Sequence, residues 1–341
     1  MIFRQLFDPQ TSTYSYLLAD EHSRDAVLID PVLEQLERDV ALIRQLDLRL
    51  LATLETHVHA DHVTAGGALR ERLGSRTGVA EVAGVSCADL RLADGDRVAF
   101  GRHHLEVRST PGHTAGCVSF VTDDQAMVFT GDALLVRGCG RTDFQGGDAA
   151  TLYRSVHERL LSLPDATLVY PGHDYKGHTV STVGEEKRFN PRLGGGRTEE
   201  EFVVIMDHLD LAQPERIAVA VPANARCGSW APVRTDAGVP EVDWAWLTTP
   251  ESEACRLLDV RGHDEVRRDG KLARAEVVPL ERVADVVAGW DPKEPLLVMC
   301  RSGGRSAVAT RALRTMGFAN VASVAGGLQA WAAAGNPVVR T

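Results

Sequence analysis

A chain of 341 residues with 44% apolar and 25% charged side chains is long enough for two packed domains, and its globular composition excludes a disordered, collagenous or coiled-coil protein. Its formal charge of -10 disfavours a nucleic-acid partner, because displacing counterions from a phosphate backbone needs clustered Lys and Arg. No apolar run approaches the roughly 18 to 20 residues that cross a bilayer, and Met1-Ile2-Phe3-Arg4-Gln5 lacks the basic-then-apolar pattern of a leader. The expectation is a soluble, unprocessed, cytoplasmic chain with no membrane partner. Six scattered cysteines (Cys87, Cys117, Cys139, Cys227, Cys255, Cys300) form no Cys-x-x-Cys pair and, in a reducing compartment, are expected as free thiols.

Up to about residue 225, β-type runs at Ala26–Asp30, Leu50–Leu54, Leu105–Ser109, Val118–Val121 and Ala126–Thr130 alternate with turns. Apolar residues at three- and four-residue steps predict helices over Val32–Gln45, Val63–Leu73, Asp148–Leu161 and Glu199–Leu211. Gly228–Pro250 is punctuated by Gly and Pro and reads as a connector. The expected division is a domain over 1–230, a linker over 231–247 and a second domain over 248–341. In the latter, strands Arg256–Val260, Glu276–Pro279, Pro295–Met299 and Val321–Val324 alternate with helices Ser306–Met316 and Gly327–Ala334, the pattern of a small parallel α/β domain.

Thr56-His57-Val58-His59-Ala60-Asp61-His62 follows the strand Leu50–Leu54, and three imidazoles and a carboxylate within one turn can converge on a cation. His113 in Thr110-Pro111-Gly112-His113-Thr114, Asp132 in Phe129-Thr130-Gly131-Asp132, and His173 in Tyr170-Pro171-Gly172-His173-Asp174 each lie just past a strand. Any one of these histidines alone would read as a solvated loop residue; the set reads as a metal site.

This set resembles the metallo-β-lactamase superfamily over roughly Met1 to Cys227. The resemblance implies an α/β fold, an αββα sandwich with the metal at one edge of two central sheets, and leaves the reaction open. A glyoxalase II-like thioester hydrolase would hold two zinc ions: His57, His59 and His113 on one, Asp61, His62 and His173 on the other, Asp132 bridging. The persulfide dioxygenases instead imply one Fe(II) per chain on His57, His113 and Asp132, with open positions for O2 and a substrate sulfur. His59, Asp61, His62 and His173 would then orient ligands or hold water. Gly131-Asp132-Ala133-Leu134-Leu135-Val136-Arg137-Gly138-Cys139-Gly140-Arg141-Thr142-Asp143-Phe144-Gln145 resembles the dioxygenases, as do Pro171-Gly172-His173-Asp174-Tyr175, Asn190-Pro191-Arg192-Leu193 and Val221-Pro222-Ala223-Asn224-Ala225-Arg226-Cys227-Gly228. The chain also lacks room before the connector for the helical substrate domain of glyoxalase II proteins.

The dioxygenase resemblance implies oxidation of glutathione persulfide by O2 to sulfite and glutathione. Arg141 and Tyr175 are then the best anchors for the tripeptide, with Arg226 third; the competing role for Arg141 is a local ion pair with Asp143 or Asp148. Cys117 and Cys139 read as small buried side chains.

In the second domain the strand Pro295–Met299 delivers Cys300 into Cys300-Arg301-Ser302-Gly303-Gly304-Arg305-Ser306, ahead of a helix. Such a loop can aim several amide N–H groups at one anion; Gly303 and Gly304 let it curl, and Arg301 and Arg305 add charge favouring a thiolate. It resembles the active-site loop of single-domain rhodaneses, over about Trp246 to Val339, with Leu257-Leu258-Asp259-Val260-Arg261 before it and Val324-Ala325-Gly326-Gly327-Leu328-Gln329-Ala330-Trp331 after it. The resemblance implies a Cys300 persulfide that carries sulfane sulfur between thiosulfate and glutathione, with sulfite as the other partner, and structural roles for Asp259 and Arg261. The family's Gly-His-Ile-Pro-Gly-Ala pattern is missing between His263 and Pro279. A non-catalytic docking role for this domain and a homo-oligomeric state are both left open.

Overall fold

In the computed structural model, which describes residues 1–209, 216–228, 234–236, 238–292, 294–318 and 320–340, the chain divides into two units, Met1–Gly228 and Ser229–Thr341. The first is built on two six-stranded sheets. One runs β1 (Ile2–Asp8), β2 (Thr13–Ala19), β3 (Asp25–Ile29), β4 (Arg49–Leu54), β5 (Arg76–Ala80), β6 (Leu90–Leu92) in spatial order, antiparallel through β3 and parallel from β3 to β6. The other holds β7 (Arg97–Phe100), β8 (His103–Ser109), β9 (Val118–Thr122), β10 (Met127–Gly131), β11 (Leu168–Pro171) and β12 (Ser181–Thr182), with β10 and β11 parallel and the remaining pairs antiparallel.

Side-chain alternation along a strand sorts residues to opposite faces. Tyr14, Tyr16 and Leu18 of β2 point between the sheets, where they meet Phe120, Phe129 and Tyr170; Leu17 and Ala19 point outward, beneath Val40 and Ile43 of α1 (Leu36–Gln45) and Leu69 of α2 (Gly66–Leu73). On the far side Val121, Val128 and Val169 are covered by α3 (Ala149–Ser155) and α5 (Glu199–Asp207), with α4 (Val183–Phe189) between them in sequence. The layers are helix, sheet, sheet, helix, as expected. Because β2 is covered on both faces, every residue of it is buried.

The expected helices begin later or end sooner than their apolar spacing implies. Val32–Gln45 opens with a 3-10 turn at Leu33–Gln35, and Asp148–Leu161 becomes α3 capped by Asp148, then a π-helical turn over Val156–Leu160. Glu199–Leu211 is helical through Asp207, and Leu211 lies outside the described residues. A further helix, α6 (Ile217–Asn224), closes the first unit.

The second unit is one sheet in the order β13 (Arg234–Asp236), β14 (Val239–Val242), β18 (Val321–Val324), β17 (Leu296–Met299), β15 (Arg256–Asp259), β16 (Glu276–Val277), parallel from β14 to β16. It carries helices α7 (His263–Asp269), α8 (Val283–Val287), α9 (Gly304–Thr315) and α10 (Gly327–Ala333). The expected linker over 231–247 needs correcting: β14 lies inside the sheet, and Val242, Trp246 and Leu247 pack in its core. Pro240 and the neighbouring glycine disguise a strand in that stretch; residues 231–233 and 237 lie outside the described residues. Among the described residues no helix is long and apolar enough to cross a membrane.

The cysteines also depart from expectation. Cys87 and Cys227, 140 residues apart, form a disulfide, which their spacing could not reveal; Cys117, Cys139, Cys255 and Cys300 are buried and outside any disulfide. Burial pushes the Cys117 thiol up to about 12 and that of Cys139 to about 11, in keeping with inert core side chains.

Candidate metal centre and thiolate loop

The strand ends bring the candidate ligands together. Asp30, at the end of β3, accepts the Thr56 backbone N–H at 2.7 Å and the Thr56 hydroxyl at 2.7 Å, pinning the turn that follows β4. The Thr56 oxygen lies 3.0 Å from His57 Nδ1, leaving Nε2 to face the cluster. His113, beyond β8, donates from Nδ1 to the Arg141 carbonyl at 2.7 Å. Asp132 leaves β10 directly, with Oδ1 2.7 Å from His173 Nδ1 and Oδ2 3.7 Å from His113 Nε2. One donor atom each from His57, His113 and Asp132 lies within 4.8 Å of the other two. Gly172 is needed here, since a Cβ on it would stand 2.8 Å from Asp132 Oδ1.

The ionisation states suit cation binding. Burial and the neighbouring imidazoles of His59 and His113 hold His57 well below its ordinary value, and burial lowers His113 against the pull of Asp132. Burial would raise the Asp132 carboxyl, but His173, by charge and hydrogen bond, keeps it far below the usual carboxylate range. Two neutral imidazoles and a carboxylate are the forms that ligate a metal.

The other four candidates interlock around this group. His173 Nε2 is 3.1 Å from Asp61 Oδ2, which also lies 2.8 Å from His62 Nδ1 and accepts from the Thr13 hydroxyl at 3.3 Å. His59 Nε2 sits 3.2 Å from Asp30 Oδ1 and 3.6 Å from Glu55 Oε2. Burial opposes protonation of His59, but Asp30, Asp61 and Glu55 raise it to about 9. Donor atoms of His59, Asp61 and His62 also fall within 4.8 Å of one another.

A cavity of about 710 Å³ opens in front of His57, His113 and Asp132. Arg141 and Tyr175 line it, Arg226 does not, and four cations not expected as anchors, Arg137, Lys176, Arg192 and Arg216, do. Arg141 pairs with Asp143, both contacts at 2.6 Å, and its guanidinium stands 5.2 Å from the Phe144 ring; Asp148 serves the helix cap instead. Tyr175 is 72% exposed, with its ring parallel to that of His173. Arg216 is tied to Glu34 at 2.7 Å, and Arg192 donates to the Cys139 carbonyl at 3.1 Å. Lys176 has neither a side-chain hydrogen bond nor an ion pair among the described residues, and its place beside Tyr175 was the only signal in the sequence for it.

In the second unit Cys300 ends β17, 1% exposed, with the Gly303 N–H 3.2 Å from its sulfur. Burial raises the thiol, but hydrogen bonds from the Ser306 backbone and hydroxyl and from the Ser302 and Gly303 amides outweigh it, so it ionises below an ordinary cysteine. Gly304 opens α9. The arginines are placed otherwise than charge alone suggests: Arg301 is exposed, and Arg305 spans both oxygens of Glu265, at 2.5 and 2.8 Å. Gly327, at φ +53, lets α10 approach so closely that a Cβ there would lie 2.3 Å from the Cys300 carbonyl. Leu328 and Gln329 N–H groups bond the Cys300 and Arg301 carbonyls at 2.9 Å. Asp259 and Arg261 form a fully buried pair that also reaches the Gly270 carbonyl, a structural placement.

Ser306→Ala removes a hydroxyl that favours the thiolate and bonds the Gly303 carbonyl at 2.9 Å, so the pH profile of Cys300 alkylation by iodoacetamide is expected to move to higher pH. An unchanged profile would mean that the hydroxyl plays no part.

Residues 8–173 match the family model of the metallo-beta-lactamase superfamily, and residues 242–334 match that of the rhodanese-like domain. Persulfide dioxygenase ETHE1, mitochondrial, of Mus musculus is 55% identical over 233 residues, which cover 68% of this chain and 91% of that protein. This chain belongs to the persulfide dioxygenase family. The human persulfide dioxygenase matches over the same length at the same identity. The crystal structure of ETHE1 from Myxococcus xanthus, 55% identical, aligns with a TM-score of 0.65 over 67% of this chain and 100% of that one. A metallo-beta-lactamase from Staphylococcus aureus shares the fold, with a TM-score of 0.61 at 20% identity, over 96% of this persulfide dioxygenase-family chain and 97% of that one.

Proposed function

We propose that the first unit oxidises glutathione persulfide with O2 to sulfite and glutathione, using one Fe(II) on His57, His113 and Asp132, and that the second transfers sulfane sulfur between thiosulfate and glutathione through Cys300. The observation that carries the first half is the convergence of those three donor atoms within 4.8 Å, in a chain 55% identical to persulfide dioxygenases. Bound there, Fe(II) would supply open coordination positions at which O2 and a substrate sulfur can meet.

The protein's own groups do the rest. Thr56 and the Arg141 carbonyl fix the two imidazole rings through Nδ1, and the sequence Asp132, His173, Asp61, His62 fixes the carboxylate. The cavity takes the tripeptide, with Arg141, Lys176, Arg192 and Arg216 offering positive charge to its carboxylates and Phe144 an apolar wall. Lys176, which has no side-chain partner among the described residues, is expected on Lys176→Ala to raise KM for glutathione persulfide about fivefold with kcat unchanged, as for loss of one exposed charge contact. Steady-state O2 uptake checks this.

At the second site the Cys300 thiolate attacks the outer sulfur of thiosulfate, the sulfur–sulfur bond breaks and sulfite leaves. A glutathione thiolate then takes the terminal sulfur, giving glutathione persulfide and restoring Cys300. The Ser302, Gly303 and Ser306 donors hold the anion at both stages.

A binuclear zinc thioester hydrolase would need His59 beside His57 and His113. Its ring does lie 4.0 Å from that of His57, but its donor atoms group with those of Asp61 and His62, or of Asp30 and Glu55, and His57, His113 and Asp132 converge without it, which favours the mononuclear reading. Parallel assays separate the two: O2 uptake with glutathione persulfide and no hydrolysis of S-lactoylglutathione is expected, and the reverse outcome would transfer the chain to the hydrolases.

A further inference from the structure

The turn that carries four of the candidate metal-site residues is held at both ends. Asp30 pins its start at Thr56. Its far end is held by Asn224, the last residue of α6, which is buried and uses its whole side-chain amide on this one segment. Asn224 Oδ1 accepts the Thr64 N–H at 2.8 Å, and Nδ2 donates to the carbonyls of His59 at 2.9 Å and His62 at 2.8 Å. One acceptor and two donors thus bracket residues 59–64.

The segment bearing Asn224 is itself pressed onto that turn. The Gly67 N–H bonds the Cys227 carbonyl at 2.8 Å, and a Cβ on Gly67 would stand 2.6 Å from that oxygen. A Cβ on Gly228, at φ +80, would lie 2.0 Å from the Thr64 carbonyl. The Cys87–Cys227 disulfide then fastens this segment to the loop after β5.

We infer that Asn224 is a positioning residue for the metal centre, which shapes the turn from His57 to His62, and that the Cys87–Cys227 bond holds it in place. The inference rests on the proposed ligation of iron by His57, His113 and Asp132. It makes a prediction that packing alone does not. Asparagine and aspartate have the same shape, so a space-filling role makes Asn224→Asp milder than Asn224→Ala. A hydrogen-bonding role reverses the order, because aspartate sets a carboxylate oxygen against the His59 and His62 carbonyls where two N–H donors stood.

The readout is the rate at which a ferrous chelator strips iron from the full-length protein, followed by absorbance, with melting temperature measured alongside. Asn224→Ala is expected to speed stripping about tenfold, the scale on which groups behind metal ligands act, and Asn224→Asp to speed it further. Ile43→Ala, which trims the core beneath α1, an element supplying no ligand, should lower the melting temperature without changing the stripping rate. A wild-type stripping rate in Asn224→Ala, or an aspartate variant closer to wild type than the alanine one, would overturn the inference. Should neither Asn224 variant fold, Cys87→Ser decides: stripping a few times faster than wild type supports the tethered clamp, and the wild-type rate overturns it. Failure of the underlying ligand reading looks different, since the wild-type protein would then hold no iron to strip.

Discussion

His113→Ala is expected to reduce O2 uptake with glutathione persulfide by at least about a hundredfold, while thiosulfate-to-glutathione sulfur transfer continues at the wild-type rate. Removing a group behind a ligand typically costs 10- to 100-fold in metal affinity or activity, and removing a ligand should cost no less. His113 contributes one of three donor atoms, and its loss also frees the Arg141 carbonyl that orients it. The variant should fold, because the ring belongs to a loop past β8 and not to the aromatic cluster between the sheets. Iron content and O2 uptake should therefore fall together with no matching loss of melting temperature. Full O2 uptake in a folded His113→Ala protein would remove this residue from the site.

Cys300→Ser gives the converse result. Serine keeps the shape and the contacts with the Gly303 amide, but its hydroxyl is a far weaker nucleophile than a thiolate at neutral pH, so sulfur transfer should drop by at least about 10³-fold. O2 uptake should be untouched. Mass spectrometry after exposure to thiosulfate gives a direct reading: the wild-type second unit should gain one sulfur and the serine variant none. A variant in which both activities vanish, with both units folded, would contradict two independent sites.

The clustering of the proposed ligands was legible because these residues carry their chemistry in their types. His57, His113 and Asp132 each follow a strand, and a strand end in a layered α/β fold is where loops meet. Cys300 was legible for the same reason, at the end of β17. Pairing was not. Positive charge in the Cys300 loop suggested that Arg305 would face the thiolate, but nothing in the local sequence announces Glu265, 40 residues away, as its partner. The same holds for Cys87 with Cys227, and for Asn224, whose role emerges only when its three hydrogen bonds are traced. Among the strands, β2 escaped the alternation test because it is buried on both faces, and β14 because Pro240 lies within it.

The central claim is one iron serving persulfide oxidation. Its most direct test is elemental analysis and O2 uptake on a single preparation of the full chain supplied with glutathione persulfide. The account predicts about one iron per chain, sulfite formed in step with the O2 consumed, and loss of both on chelation with recovery on adding Fe(II). Two zinc ions per chain with no O2 uptake would contradict it.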